Sequence, residues 1–151
     1  MNDTLRERAL RFLARREHSR VELSHKLAPY VEGAEALETL LDDLSARQLL
    51  SDERYAEMRV NARCARFGNA RLAHELRTQG VAGDVVQETL ASCDAQRSEL
   101  SRAQQVWQRK FGQLPATSER TESARQRRFL MSRGFSGETI RRVLRGDFEN
   151  E

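Results

Sequence analysis

Apolar residues recur along this chain three and four positions apart, the spacing of one helical face, so the pattern predicts helices throughout and no sheet. Leu5, Ala9, Leu10, Phe12 and Leu13 mark a first helix over about Asn2 to Arg16, which His18-Ser19 breaks. Ser19 and Glu22 have capping-box spacing at the start of a second helix, with Leu23 and Leu27 inward and Pro29 and Gly33 at its end. On a third, Leu37, Leu40, Leu41 and Leu44 fall within about 100° of arc, while Glu35, Glu38, Asp42 and Asp43 cover the far side.

A second triplet starts at Ser51, whose hydroxyl caps a helix reaching Arg66, with Asp52 and Glu53 at its positive end. Gly68-Asn69 is a turn and cap. Ala70 to Gln79 follows with Leu72 and Leu76 inward, Gly80 stops it, and Val81 packs over the turn. Ala82-Gly83-Asp84 opens a helix through Ser92 that carries Val85, Val86 and Leu90 to the core. The third triplet begins with Ala95 to Phe111, where Leu100, Ala103, Trp107 and Phe111 recur at helical spacing. Gln113 to Ser118, holding Pro115, reads as a loop. Thr121 to Arg133 is then helical, Gly134 stops it, Phe135 packs over the turn, and Ser136 caps a last helix from Gly137 to Arg145. Ile140, Val143 and Leu144 share one face of that helix, and Arg141, Arg142 and Arg145 take the other.

Two of these stretches are versions of one another. Arg71–Leu90 aligns without a gap on Arg125–Leu144, with five of 20 positions identical and Val81/Phe135 and Val86/Ile140 alike in kind. Leu23 to Leu27 is a weaker third echo of Leu72 to Leu76. A period near fifty residues in helical sequence implies stacked helical units, each needing a neighbour to bury its apolar face. The expected fold is all-α: three-helix repeats over residues 1–50, 51–93 and 94–146 in an elongated stack, then a short acidic tail at 147–151.

Charge adds a second pattern to the repeats. Of 151 residues 32% are charged, and the net charge of +3 hides segments of −6 over 32–57 and +8 over 102–145. Arginine supplies 24 of the 26 basic residues, and its forked guanidinium suits phosphate or carboxylate. No apolar run approaches the roughly 18 residues of a membrane span, and Met1-Asn2-Asp3-Thr4 lacks the marks of a signal peptide. A cytoplasmic protein is expected, with Cys64 and Cys93 as isolated reduced thiols.

Enzymatic chemistry finds no foothold in the motifs. GxSxG, GxxxxGK[ST] and GxGxxG are absent, and neither the histidines nor the cysteines have zinc-site spacing, so no cofactor or metal is expected. His18, His25 and His74 read as turn or helix-surface residues, and Trp107, Phe111 and Phe129 as core, with base stacking as in single-strand binders the weaker alternative. The acidic set Asp42, Asp43, Asp52 and Glu53 reads as caps and a solvated face rather than a Mg²⁺ site.

Ala9 to Ser19, Leu50-Ser51-Asp52-Glu53-Arg54-Tyr55-Ala56, Gly68 through Gly80-Val81, and Arg128-Phe129-Leu130 with Arg133-Gly134-Phe135-Ser136 together resemble the RecX family of recombinase regulators. The resemblance covers nearly the whole chain. It implies three tandem three-helix repeats in a curved rod, and a non-enzymatic inhibitor of the RecA recombinase in DNA recombination and repair. Such a protein would lie in the groove of the RecA filament on single-stranded DNA and suppress ATP hydrolysis and strand exchange.

A monomer is expected, meeting the filament, and single-stranded DNA directly or through it. The expected contacts are Arg125, Arg127, Arg128 and Arg133 on one helix and Arg141, Arg142 and Arg145 on the next, because their charge costs self-repulsion that a partner's acidity or phosphates would relieve. Arg66, Arg71 and Arg77 form a second set, for which salt bridges to Glu38, Asp42 and Asp43 are an equal account. The alternative is a direct DNA binder that uses the last two helices as a helix-turn-helix.

Overall fold

Polar caps and glycine stops set the helix limits in the computed structural model, which describes residues 4–112 and 120–147. In chain order the helices are α1 (Leu5–Arg15), α2 (Arg20–Leu27), a 3-10 turn (Ala28–Tyr30), α3 (Ala34–Ala46), α4 (Asp52–Arg63), α5 (Asn69–Thr78), α6 (Gly83–Gln96), α7 (Glu99–Phe111), α8 (Arg120–Ser132) and α9 (Gly137–Arg145). No strand occurs among the described residues, and no helix among them is long and apolar enough to cross a membrane. The Pro115 loop and residues 148–151 of the acidic tail lie outside the described residues.

Several boundaries differ from the sequence reading for local reasons. The complete capping box is at Thr4 and Glu7, where hydroxyl and carboxylate each accept a backbone N–H. Ser19 does accept from the Glu22 N–H at 3.0 Å, but the Glu22 carboxylate is drawn away to Arg16 at 2.6 Å. Helix α6 runs on to Gln96, and Ser98 rather than Ala95 opens α7 by accepting from the Ser101 N–H. Leu10, expected inward, is 37% exposed. The repeat itself holds: Leu76 and Leu130, Val81 and Phe135, Val86 and Ile140 are all buried, and Gly80 and Gly134 both have positive φ.

The chain divides into two compact units, residues 1–59 with 76–86, and residues 60–75 with 87–151. In the first, α2 packs against both α1 and α3. Its core is almost pure leucine, with Leu23, Leu27, Leu37, Leu41, Leu44 and Leu50 buried around Ala9. Fully burying each such side chain contributes about 2 kcal/mol. In the second unit α7, α8 and α9 pack mutually around Leu100, Ala103, Val106, Leu130, Phe135, Ile140 and Val143, with Trp107, Phe129 and Leu144 partly buried against them.

His18 lies in the turn between α1 and α2, as expected, but is buried in the first unit, beside Phe12. Lys26 Nζ lies 2.8 Å from its Nε2, and its Nδ1 lies 3.1 Å from the Arg16 carbonyl oxygen. That arrangement requires a neutral ring, with Nε2 accepting from the ammonium and Nδ1–H donating to the carbonyl. Burial pushes the His18 pKa down, as do Arg16 and Lys26, while the Arg16 carbonyl and Glu22 oppose them. The unfolded chain therefore binds the proton more readily, and stability falls as pH drops below the ordinary histidine value of about 6.5. Replacing His18 with Gln is expected to flatten urea midpoints between about pH 5 and 7. An unchanged slope in that window would show that His18 is not the titrating group.

Candidate partner-binding surface

Two charged residues one turn apart on α7, within the second unit, tie that helix to its neighbours: Arg102 to the end of α4, the start of α5 and α6, and Glu99 to the starts of α5 and α9. Arg102, wholly buried, donates from Nη1 to the carbonyls of Cys64 and Phe67, both at 3.0 Å, just past the C-terminal end of α4. Its Nη2 reaches Asn69 Oδ1 and Asp94 Oδ1, and Nε reaches the Arg97 carbonyl at 3.3 Å. Glu99 works at the opposite helix pole. One of its oxygens accepts from the Asn69 N–H at the start of α5, and the other from the Ser136 N–H and Thr139 hydroxyl at the start of α9. A cation at carbonyl ends and an anion at amide ends both suit the helix dipoles.

The turn between α8 and α9 is fixed by backbone contact. Gly68 N–H donates to the Arg133 carbonyl at 2.7 Å, and Ala70 N–H to the Gly134 carbonyl at 3.2 Å. Gly134 has φ +86°, and a Cβ there would strike the Cβ and backbone of Arg71. A Cβ on Gly68 would strike the Gly134 carbonyl. Only glycine at both positions permits the approach.

This frame sorts the expected contact residues. Arg125 is exposed but bonded to Glu122 at 2.9 Å, with its guanidinium 5.2 Å from the Phe111 ring centre. Arg127 and Arg128 are exposed and make no ion pair among the described residues. Arg133 lies beyond the end of α8 rather than on it, 5.1 Å from the Phe129 ring and 5.4 Å from the Phe67 ring. Arg71 and Arg66 meet it over Phe67, at 4.3 and 5.6 Å. Two residues of the second set therefore join one of the first. Arg127 and Arg141 come together instead with the exposed Met131, lining a different pocket. Arg145 pairs with Asp147 at 3.1 Å, while Arg141 and Arg142 have no carboxylate partner among the described residues. Arg77 is exposed in the first unit.

The acidic face of α3 is engaged within its own unit. Arg20 reaches Glu38 and Asp42, each at 2.7 Å, and Arg6 and Arg47 hold Asp43. Hydrogen bonds from Arg6 and then Arg47 keep the Asp43 carboxyl below the usual range. Arg71 pairs, weakly at 3.6 Å, with Glu75 on its own helix, and Glu75 also meets Arg63 at 2.7 Å. Asp52 accepts the Arg20 N–H at 2.8 Å, and burial pushes its pKa up against that bond. The two cysteines are free thiols, and burial raises Cys93 to about 11.

Sequence reasoning passed over Arg102 and Glu99, although a signal was present. Arg102 stands beside Ala103 and Val106 on the buried stripe of α7, where a charge requires partners. Arg63, Arg109 and Lys110 were also outside the expected sets. Arg63 stacks 4.3 Å from the Phe67 ring, and Lys110 lies 5.3 Å from that of Phe129.

Comparison with known proteins matches residues 51–90 to the second three-helix domain of RecX and residues 98–144 to the third. "Regulatory protein RecX" of Leptothrix cholodnii is 49% identical over 150 residues, covering 98% of this chain and 92% of that one. The protein of the same name from Ralstonia nicotianae is 45% identical over 143 residues, covering 95% and 87%. The crystal structure of RecX from Lactobacillus salivarius superposes with a TM-score of 0.81 over 94% of this chain and 93% of its own, at 17% identity, which speaks to the fold. A second crystal structure, of a regulatory protein RecX, gives 0.80 over 92% and 70%, at 20% identity. With its helices, its domain matches and its relatives in agreement over nearly the full length, the chain belongs to the RecX family of regulatory proteins.

Proposed function

We propose that this protein is a negative modulator of the RecA recombinase, binding the RecA filament on single-stranded DNA in its groove and suppressing ATP hydrolysis and strand exchange. Kinship with proteins named as regulators, over almost the entire chain, carries the reading. It acts as a cytoplasmic monomer, with repeats over 1–50, 51–93 and 94–146 as its docking modules. Arg125, Arg127, Arg128, Arg133, Arg141, Arg142 and Arg145 are the proposed contacts to acidic protomer surface or DNA phosphates, with Arg66, Arg71 and Arg77 secondary. Within that set, Arg127, Arg128, Arg133, Arg141 and Arg142 have the strongest claim, having no ion-pair partner among the described residues. Duplex reading by α9 is disfavoured, because the Glu99 carboxylate occupies the N-terminal turn from which a recognition helix meets bases.

The test is RecA ATP hydrolysis on single-stranded DNA during titration with this protein. The wild type is expected to inhibit well below equimolar concentration. Arg141→Ala/Arg142→Ala/Arg145→Ala should need about tenfold more protein for half inhibition, at roughly 0.5 kcal/mol for each of the three charges. Unchanged inhibition by that folded variant removes α9 from the contact. No inhibition by wild type at several-fold excess defeats the reading altogether.

A further inference from the structure

Within the second unit, Val106 and Phe129 wall a pocket of about 270 Å³ whose other lining residues are Arg66, Arg109, Lys110 and Arg133. All four are cations, no carboxylate lines the pocket, and none of the four forms an ion pair among the described residues. Arg66, Arg109 and Lys110 are exposed, whereas Phe129 and Arg133 are half-buried. Lys110 and Arg133 stand 5.3 and 5.1 Å from the Phe129 ring centre, so charge and aromatic surface alternate across the opening. Phe111 meets Phe129 edge-on with ring centres 5.4 Å apart, which fixes the ring in place.

We propose that this pocket is a contact site for single-stranded nucleic acid, in which phosphodiesters meet Arg66, Arg109, Lys110 and Arg133 while a base or sugar lies against Phe129. Four like charges around one small cavity repel one another, and a polyanion relieves that cost. Guanidinium forks grip phosphate oxygens in pairs. A single strand carries a phosphate and a flat base in every unit, matching the alternation of cation and ring. Paired, stacked bases of a duplex cannot reach a recessed ring, and an acidic peptide has no regular aromatic surface to offer it. The volume suits one nucleotide unit better than a large ligand. The site deepens the DNA contact proposed above, with which it shares Arg66 and Arg133, and rests on that reading for its nucleic-acid partner.

Fluorescence anisotropy of a labelled oligothymidylate of about 20 nucleotides, longer than a typical single binding module covers, tests this with the full chain and no RecA present. The wild type should bind, with affinity falling as salt rises. Arg66→Ala/Arg109→Ala/Lys110→Ala should bind about tenfold more weakly, with a salt slope shallower by about 2, near 0.7 for each lost phosphate contact. Phe129→Leu should weaken binding and leave the slope unchanged. Circular dichroism and Trp107 fluorescence establish that each variant is folded. Unchanged affinity and slope in the folded triple variant overturn the proposal. So does equal affinity for duplex of the same length, or displacement of the oligonucleotide by polyglutamate at matched charge. RecA inhibition by the wild type reads the regulatory proposal and oligonucleotide binding without RecA reads this site, so either can fail while the other stands.

Discussion

Replacing Arg102 with alanine is expected to lower the unfolding free energy by about 3–5 kcal/mol, the cost of breaking a buried charge network from one side. The guanidinium serves five acceptors: the carbonyls of Cys64, Phe67 and Arg97, the Asn69 amide oxygen and the Asp94 carboxylate. Removing it takes the donors from these carbonyls, and water entering the vacated space cannot reproduce five directed bonds from one rigid fork. Lysine should recover only part of the loss, since its single ammonium donates at one point and cannot span a fork. Urea denaturation followed by Trp107 fluorescence measures this directly, because that residue packs in the same unit and donates to Gln126 at 2.8 Å. A loss under about 1 kcal/mol, the scale of an exposed ion pair, would show that Arg102 is no staple.

The second large effect is expected at the turn between α8 and α9. Gly134→Ala must hold a side chain at φ +86° and press its Cβ on Arg71. The left-handed backbone costs about 1–2 kcal/mol, and overpacking against backbone about 1–3 more. At roughly 2–4 °C per kcal/mol for a chain of this size, the midpoint should fall by about 10 °C. Gly68→Ala, which meets the Gly134 carbonyl from the other side, should behave alike through the clash alone. A thermal scan by circular dichroism decides it. If either variant melts within about 2 °C of wild type, the two backbones can separate cheaply, and the turn does not fix the arginines of α8 and α9.

Both effects explain why motifs at Gly68 and at Arg133-Gly134-Phe135-Ser136 occur in one chain: their backbones bond to each other. The sequence pointed to each as a helix stop or cap, which is correct locally. It could not show that the two stops touch. The same limit divided the histidine assignments. A break at His18-Ser19 was readable from composition and capping, but its burial depended on Phe12 and Lys26 closing over the ring. Leu10 failed in the opposite direction, since a helix face broad enough to include it is wider than the surface α1 buries.

For the candidate site, sequence singled out arginine-rich α8 and α9 and the basic middle segment. Pairing then separated the residues: Arg125 to Glu122 and Arg145 to Asp147, with Arg127, Arg128, Arg133, Arg141 and Arg142 left without a carboxylate among the described residues. Glu122 and Arg125 are three positions apart and could be paired on paper. The convergence of Arg66 with Arg109, Lys110 and Arg133 could not.

What the sequence alone determined was much of what hydrogen bonds within a few residues control: helical class, the caps at Ser19, Ser51 and Ser136, the glycine stops, and the repeat that places Leu76 with Leu130 and Val81 with Phe135. Tertiary structure alone decided which charges are buried, which pair across distant elements and which face outward together. The reason is range. A helix is specified by neighbours three and four positions away, whereas Arg102 is satisfied by Cys64 and Phe67, and Glu99 by Asn69 and Ser136, all thirty or more residues distant.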